Sequence, residues 1–147
     1  MEMLINMNED AFEIKVVRSW DEQEIITLYK EGKWWEESAD PKMIVPLIQN
    51  SFVFIVAIDK KTKKAIGMGR VLSDGVSDAY IQDVIVLNKW RGKGVGRNIV
   101  KGLIQYCLNH HVTWIALISE PNQKDFYVPL GFNEMNKYIP MKYENMI

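Results

Sequence analysis

The chain has 147 residues, 48% of them apolar and 25% charged, with a formal net charge of −1. That length predicts one domain over residues 1–147, large enough to bury its own core. The near-neutral balance excludes a strong global field for gathering nucleic acid or an anionic membrane, and the longest apolar run, Phe52 to Ile58, is far too short to cross a bilayer.

The first residues, Met1 to Phe12, lack a basic stretch followed by an apolar one, so no secretory signal is expected. The lone cysteine, Cys107, cannot close an internal disulfide, which fits a reducing cytoplasm. Phe12 to Val16 alternates apolar and polar residues and predicts a first strand. Ser19 and Glu22 have capping-box spacing, with Ser19 at the N-cap. The helix that follows carries Ile25, Leu28 and Tyr29 on one face and ends near Gly32. Asp40-Pro41 opens a second helix, because proline suits the first helical position.

The apolar period then shortens to that of strands. Phe52–Ile58, Ala65–Leu72 and Ala79–Leu87, separated by short polar turns, read as an antiparallel meander. The basic turn Lys60-Lys61-Thr62-Lys63-Lys64 carries no interleaved aromatic residue and reads as a solvated turn. Gly94 to Asn109 has a wide apolar face and predicts an amphipathic helix packed on the sheet. Thr113–Ile118 is the next strand, parallel to Ala79–Leu87 through the helical crossover. A short helix over about Asn122–Leu130 and a last strand over about Asn133–Tyr143 complete the order β-α-α-β-β-β-α-β-α-β, an α+β fold with a mixed, mostly antiparallel sheet. Exposed strands near the C-terminus suggest a homodimer by strand pairing.

The junction between the third meander strand and the long helix carries the chemistry. It reads Arg91-Gly92-Lys93-Gly94-Val95-Gly96-Arg97. Glycines at alternate positions permit a tight turn and close ligand approach. The turn opens a helix, where backbone N–H groups lack intrahelical partners and the dipole favours an anion. Arg91, Lys93 and Arg97 add positive charge, so a diphosphate is the expected guest. The stretch fits neither the P-loop nor the dinucleotide fingerprint G-x-G-x-x-G.

Arg91, Gly94 and Gly96 match the Q/R-x-x-G-x-G/A signature of the GNAT acetyltransferases, which the chain resembles. A second segment, Asn122 with Phe126-Tyr127 and Gly131-Phe132, is similar to another motif of that family, and the element order agrees over nearly the whole chain. Tyr80 to Val84, just before the loop, resembles an aralkylamine-type subgroup. The resemblance implies a GNAT fold, acetyl-CoA as cosubstrate, no metal, and direct transfer of the acetyl group to a primary amine of a small molecule within a ternary complex. Two alternatives are acetylation of a protein N-terminus or lysine, and a sensor that binds acyl-CoA without catalysis.

It also implies roles. Backbone N–H groups from Gly92 to Arg97 hold the pyrophosphate, and the third meander strand splays from Thr113–Ile118 so that Val84, Ile85 and Val86 bond the pantetheine arm. Tyr127 acts as general acid or thiolate partner; its other reading is an aromatic core residue. Asn122 touches the cofactor or caps a helix. The family's usual glutamate is missing: Tyr80 stands at the matching position, with Gln82 and Asp83 close by. Asp83 interrupts an apolar strand and needs a role or a partner. It is either the base or amine anchor, or the ion-pair partner of a cation such as Arg70. Trp34 and Trp35 line the acceptor wall or plug two helices together. His110 and His111 have no third ligand that would make a metal site, and Cys107 is expected in the core.

Overall fold

The computed structural model describes residues 11–145, so the stretch read for a secretory signal lies outside them except for Ala11 and Phe12. The elements are β1 (Phe12–Val16), α1 (Glu22–Glu31), α2 (Ile44–Asn50), β2 (Val53–Asp59), β3 (Ala65–Ser73), β4 (Asp78–Val86), α3 (Val95–Asn109), β5 (Trp114–Ala116) and α4 (Lys124–Tyr127). They form one sheet in the order β1-β2-β3-β4-β5. The first three pairings are antiparallel, and β4 with β5 is parallel.

The sheet is covered on both faces, and the alternation within β2 shows how. Val53, Ile55 and Ala57 pack into the core that holds Ile99, Leu103 and Cys107 of α3. Phe54, Val56 and Ile58 point the other way, into a second core with Ile25 and Leu28 of α1 and Ile44 and Ile48 of α2. A strand buried on both faces loses the apolar–polar alternation of a half-exposed one. Helix α3 lies close on β3: a Cβ added at Gly69 would stand 2.8 Å from Ile99 Cγ2.

Several boundaries differ from those the sequence predicts: β5 spans Trp114–Ala116 rather than Thr113–Ile118, and the helix expected from Asp40-Pro41 opens as a 3-10 turn over Pro41–Met43 before α2. Asp21, not Ser19, caps α1, its side chain accepting from the Glu24 N–H at 3.0 Å. Asp21 stands three residues before Glu24, the same spacing that Ser19 has to Glu22, and the helix starts from the later pair. The helix expected over Asn122–Leu130 is split: α4 ends at Tyr127 and a 3-10 turn covers Val128–Leu130, where Pro129 has no N–H to continue the α pattern.

The last expected strand, Asn133–Tyr143, does not form: these residues are described and carry no strand. Lys137 takes a left-handed backbone at φ 71, and Pro140 cannot donate to a ladder. The homodimer expected from pairing of such strands loses that basis. Among the described residues no helix is long and apolar enough to cross a membrane.

Replacing Asp21 with alanine is expected to lower stability by about 1 kcal/mol. The Ser19→Ala variant should change it by less than about 0.5 kcal/mol. Urea unfolding midpoints of the two variants check the assignment.

Candidate active site

The site begins where β4 leaves its neighbour. Only Asp78, Ala79 and Tyr80 of β4 are in register with β5, opposite Trp114, Ile115 and Ala116. From Gln82 onward β4 is paired on the β3 side alone, and that pairing is shifted: Arg70 faces Gln82, whereas Met68 faces Ile85. Gly69 alone therefore stands against both Asp83 and Val84, which is a β-bulge. Asp83 carries the turn with φ 60. The extra residue reverses the alternation of β4. Ala79 and Ile81 face the α3 core before it, Val84 and Val86 after it, and Ile85 packs on the α1–α2 side.

The parting of the two strands opens a cleft of about 590 Å³. That volume suits a small-molecule site. One wall is β4 from Tyr80 through Gln82, Asp83, Val84 and Ile85 to Val86. Trp34, in the connection after α1, closes one side, and Phe126 and Tyr127 of α4 close the other. Trp35 is absent from the wall. It packs against Tyr29 at 6.4 Å between ring centroids, in the core beneath α1, so the helix plug is the reading that fits it. Asn122 is also absent from the wall. It is exposed, with φ 66, and it does not cap α4, whose N-cap is Gln123.

The glycine-rich junction lies at the end of this cleft. Arg91 lines it, while Gly92 to Arg97 lie outside its wall. Gly92 and Gly94 have φ 76 and 86, and a Cβ on either would meet nothing within 4 Å. Their need for glycine is conformational. Gly96 differs: it sits inside α3, and a Cβ there would stand 3.3 Å from Phe126 Cζ. Gly94 is the N-cap of α3 and offers no capping side chain, and no acidic residue stands in the first turn. The N–H groups that open α3 are therefore left for an anion. Val95 contributes only its main chain, since its side chain is buried. Of the three cations, Arg91 donates to the Val86 carbonyl at 3.0 Å and to Glu31 at 3.0 Å. Lys93 lies 5.6 Å from the centre of the Trp90 ring, and Arg97 is exposed.

Tyr127 is packed edge-on against Phe126 at 4.8 Å and Phe132 at 5.8 Å. Burial pushes its phenol up from the ordinary value of 10.0, and the nearby charge of Glu120 adds to the rise. Asp83 has the cation partner that its place in an apolar strand requires. Its Oδ2 accepts from Arg70 Nε at 2.7 Å and from the Tyr29 hydroxyl at 2.8 Å. Burial, followed by the Asp83 charge, raises the Tyr29 phenol well above its usual range.

Two carboxylates at the cleft went unread in the sequence. Glu31 ends α1 and pairs with Arg91, and Glu120 follows β5. The only available signal was that the apolar run of β5 stops at Ser119-Glu120-Pro121. Among the described residues no group of three or more His, Cys, Asp or Glu side chains is placed to hold a metal. Cys107 is buried, and burial pushes its thiol up to about 11.

A family model described as an acetyltransferase (GNAT) domain matches residues 17–143. An uncharacterized N-acetyltransferase ycf52 of Pyropia yezoensis is 33% identical over 93 residues, which are 62% of this chain and 53% of that protein. Serotonin N-acetyltransferase 2, chloroplastic, of Oryza sativa subsp. japonica is 35% identical over 69 residues, which are 47% of this chain and 34% of that protein. The chain spans about half or less of the length of the curated relatives it matches. Among solved structures, a GNAT family protein, SP0256, from Streptococcus pneumoniae TIGR4 superposes with a TM-score of 0.77 at 23% identity, covering 92% of this chain and 99% of that one.

The raised Tyr127 phenol has a direct readout. Tyrosine-selective carbon NMR should show Tyr127 more than half protonated at pH 10.0, where an unperturbed phenol is half ionised.

Proposed function

The chain belongs to the GNAT acetyltransferase family, and from that premise we propose that it moves the acetyl group of acetyl-CoA to the primary amine of a small molecule, both substrates being bound together. The observation that carries this reading is the conjunction of a helix N-terminus free of its own caps at the end of the cleft with a β4 edge of unpaired main chain and Tyr127 in the cleft wall. These features suit a ligand with a diphosphate at one end and an amide-rich arm, and the acetyl-CoA fit is argued from them.

Bound acetyl-CoA supplies an activated acyl carbon: a C–N bond forms to the amine, the C–S bond breaks, and a proton from the amine ends on the sulfur. The chain's part is to place and polarise. The first N–H groups of α3, from Gly94 onward, bind the diphosphate. The free edge of Val84–Val86 bonds the arm through main-chain groups, and one N–H faces the carbonyl oxygen where charge develops. A donor so placed contributes about 3 kcal/mol in comparable sites. Tyr127 keeps its proton at neutral pH and can donate it, or a hydrogen bond, to the departing sulfur.

The amine must lose a proton, and we assign that step to water in the cleft. Asp83 already accepts from two donors, which favours its ion-pair reading over the base reading. Trp34, Tyr80 and Gln82 form the acceptor end, and aromatic walls suit an amine that carries an apolar or aromatic body. The rice relative's name, a serotonin N-acetyltransferase, supports an aralkylamine among the candidates. That relative is also named chloroplastic, so we read the lone cysteine as a sign of a reducing compartment, of which the cytoplasm is one.

Thiol release on adding acetyl-CoA with a panel of aryl, alkyl and sugar amines tests the proposal. Acceleration by an aryl or alkyl amine is expected. Acetyl-CoA binding without release by any amine would favour the sensor, and release with peptides alone would favour a protein acetyltransferase. Tyr127→Phe should cut turnover at least tenfold and leave acetyl-CoA affinity within about twofold. Replacing Gly94 and Gly96 together with valine should abolish acetyl-CoA binding by calorimetry while the circular dichroism spectrum remains folded.

A further inference from the structure

Asp83 is a non-glycine residue held at φ 60 in the middle of a strand. Outside glycine this conformation is uncommon and disfavoured, although aspartate tolerates it better than most residues. Such a backbone persists only where its surroundings hold it. The surroundings here are specific. Arg70 comes from β3, where it faces Gln82, the residue just before the bulge. Its Nε donates to Asp83 Oδ2 at 2.7 Å, and its Nη1 donates to Ser51 Oγ, at the end of α2, at 3.4 Å. Tyr29 comes from α1 and donates to the same Oδ2 at 2.8 Å. Its ring is only 6% exposed and is fixed by Trp34 and Trp35 at 6.3 and 6.4 Å.

Two elements, β3 and α1, thus converge on one carboxylate oxygen of β4. The raised Tyr29 phenol remains a donor at any physiological pH. Asp83 lies in the cleft wall, whereas Arg70 and Tyr29 do not. Arg70 and the Tyr29 hydroxyl therefore act on the cleft through Asp83 and the backbone it belongs to, while the Tyr29 ring also touches Trp34 of the wall.

We propose that Arg70, Asp83 and Tyr29 form a positioning triad: the ion pair and the phenol hydrogen bond hold the left-handed turn at Asp83, and that turn aligns the main chain of Val84–Val86 with the donor arm. The proposal rests on the acetyl-CoA reading above and assigns that site a control outside its own wall. The bulge moves Val84 and Val86 onto the α3 core and leaves Asp83 off it. Without the turn, strict alternation would drive a carboxylate into the α3 core and turn the following main chain by one residue.

Glycine and alanine at position 83 separate positioning from chemistry. Both remove the carboxylate, but only glycine holds a positive φ without steric cost. If Asp83 is a base or an amine anchor, Asp83→Gly and Asp83→Ala lose activity equally. If it is a positioning residue, Asp83→Ala weakens acetyl-CoA binding at least about twentyfold, and Asp83→Gly, which loses both tethers but bears no steric cost at positive φ, weakens it about fivefold. Tyr29→Phe, which removes one hydroxyl remote from the cleft, should weaken binding by about threefold. It should leave the shape of the pH–rate profile unchanged.

Amide hydrogen exchange over residues 82–86 gives a readout independent of activity. Faster exchange is expected in Tyr29→Phe and Asp83→Gly, which lose one and both tethers, and the fastest in Asp83→Ala, which adds the steric cost of a positive φ. Equal binding losses and equal exchange in the glycine and alanine variants would overturn the triad. If the parent itself fails to bind acetyl-CoA, the functional reading falls, and the exchange comparison alone then decides the triad. If Asp83→Ala does not fold, Tyr29→Phe with parent affinity and parent exchange would also overturn it.

Discussion

A strand taken from water must satisfy its N–H and C=O groups, and a central strand does so on both sides. In β4 that rule is obeyed for three residues beside β5 and then suspended. Everything the site does depends on this suspension. A main-chain edge left unpaired inside a sheet is costly unless something else bonds to it. It is therefore both a local weakness and a ready template for an extended ligand rich in amide groups. The cleft is bounded by β4 and by the segment that follows β5, and the helix connecting the two strands begins at its far end.

That connection explains why the two ends of the site have different physical characters. At the glycine-rich end the interactions are electrostatic and main-chain, with exposed cations nearby. Toward Tyr80, Trp34 and Tyr127 the wall becomes aromatic and partly buried. Arg91 spans the two regions. It ties the end of β4 to Glu31 at the end of α1, and Trp34 follows shortly after. An exposed ion pair of this kind is worth little as stability. Its value is geometric, because it joins the donor junction to the segment that shapes the acceptor side.

The order of elements was legible because hydrophobic period is dictated by which faces are buried. The alternating stretch became β1, the short apolar runs between polar turns became β2 to β4, and the wide apolar face became α3. The junction was legible for a different reason: only glycine suits Gly92 and Gly94 at their positive φ. What could not be read was set by tertiary partners. Trp34 and Trp35 are adjacent and chemically identical, and both pack against the α1–α2 core, yet only Trp34 also lines the cleft. The C-terminal stretch alternates well enough to suggest a strand, but no ladder forms there. One clue lay in plain view. Apolar residues at 79 and 81 followed by 84 and 86 slip by one position, and that slip is the bulge.

Gly96 has a double identity. As a member of the junction signature it looks like a residue chosen for a phosphate. In the fold it is the point where α3 meets α4, close enough that even one added carbon would press on Phe126. The two sequence motifs, more than twenty residues apart, are therefore halves of one mechanical joint. Alanine at 96 would require a displacement of a few tenths of an ångström in Phe126 and, through the adjacent ring contact, in Tyr127. Evolution at these sites should accordingly run in tandem. A larger residue at 96 is tolerable when 126 becomes smaller, and drift at either position alone retunes the hydroxyl without touching it.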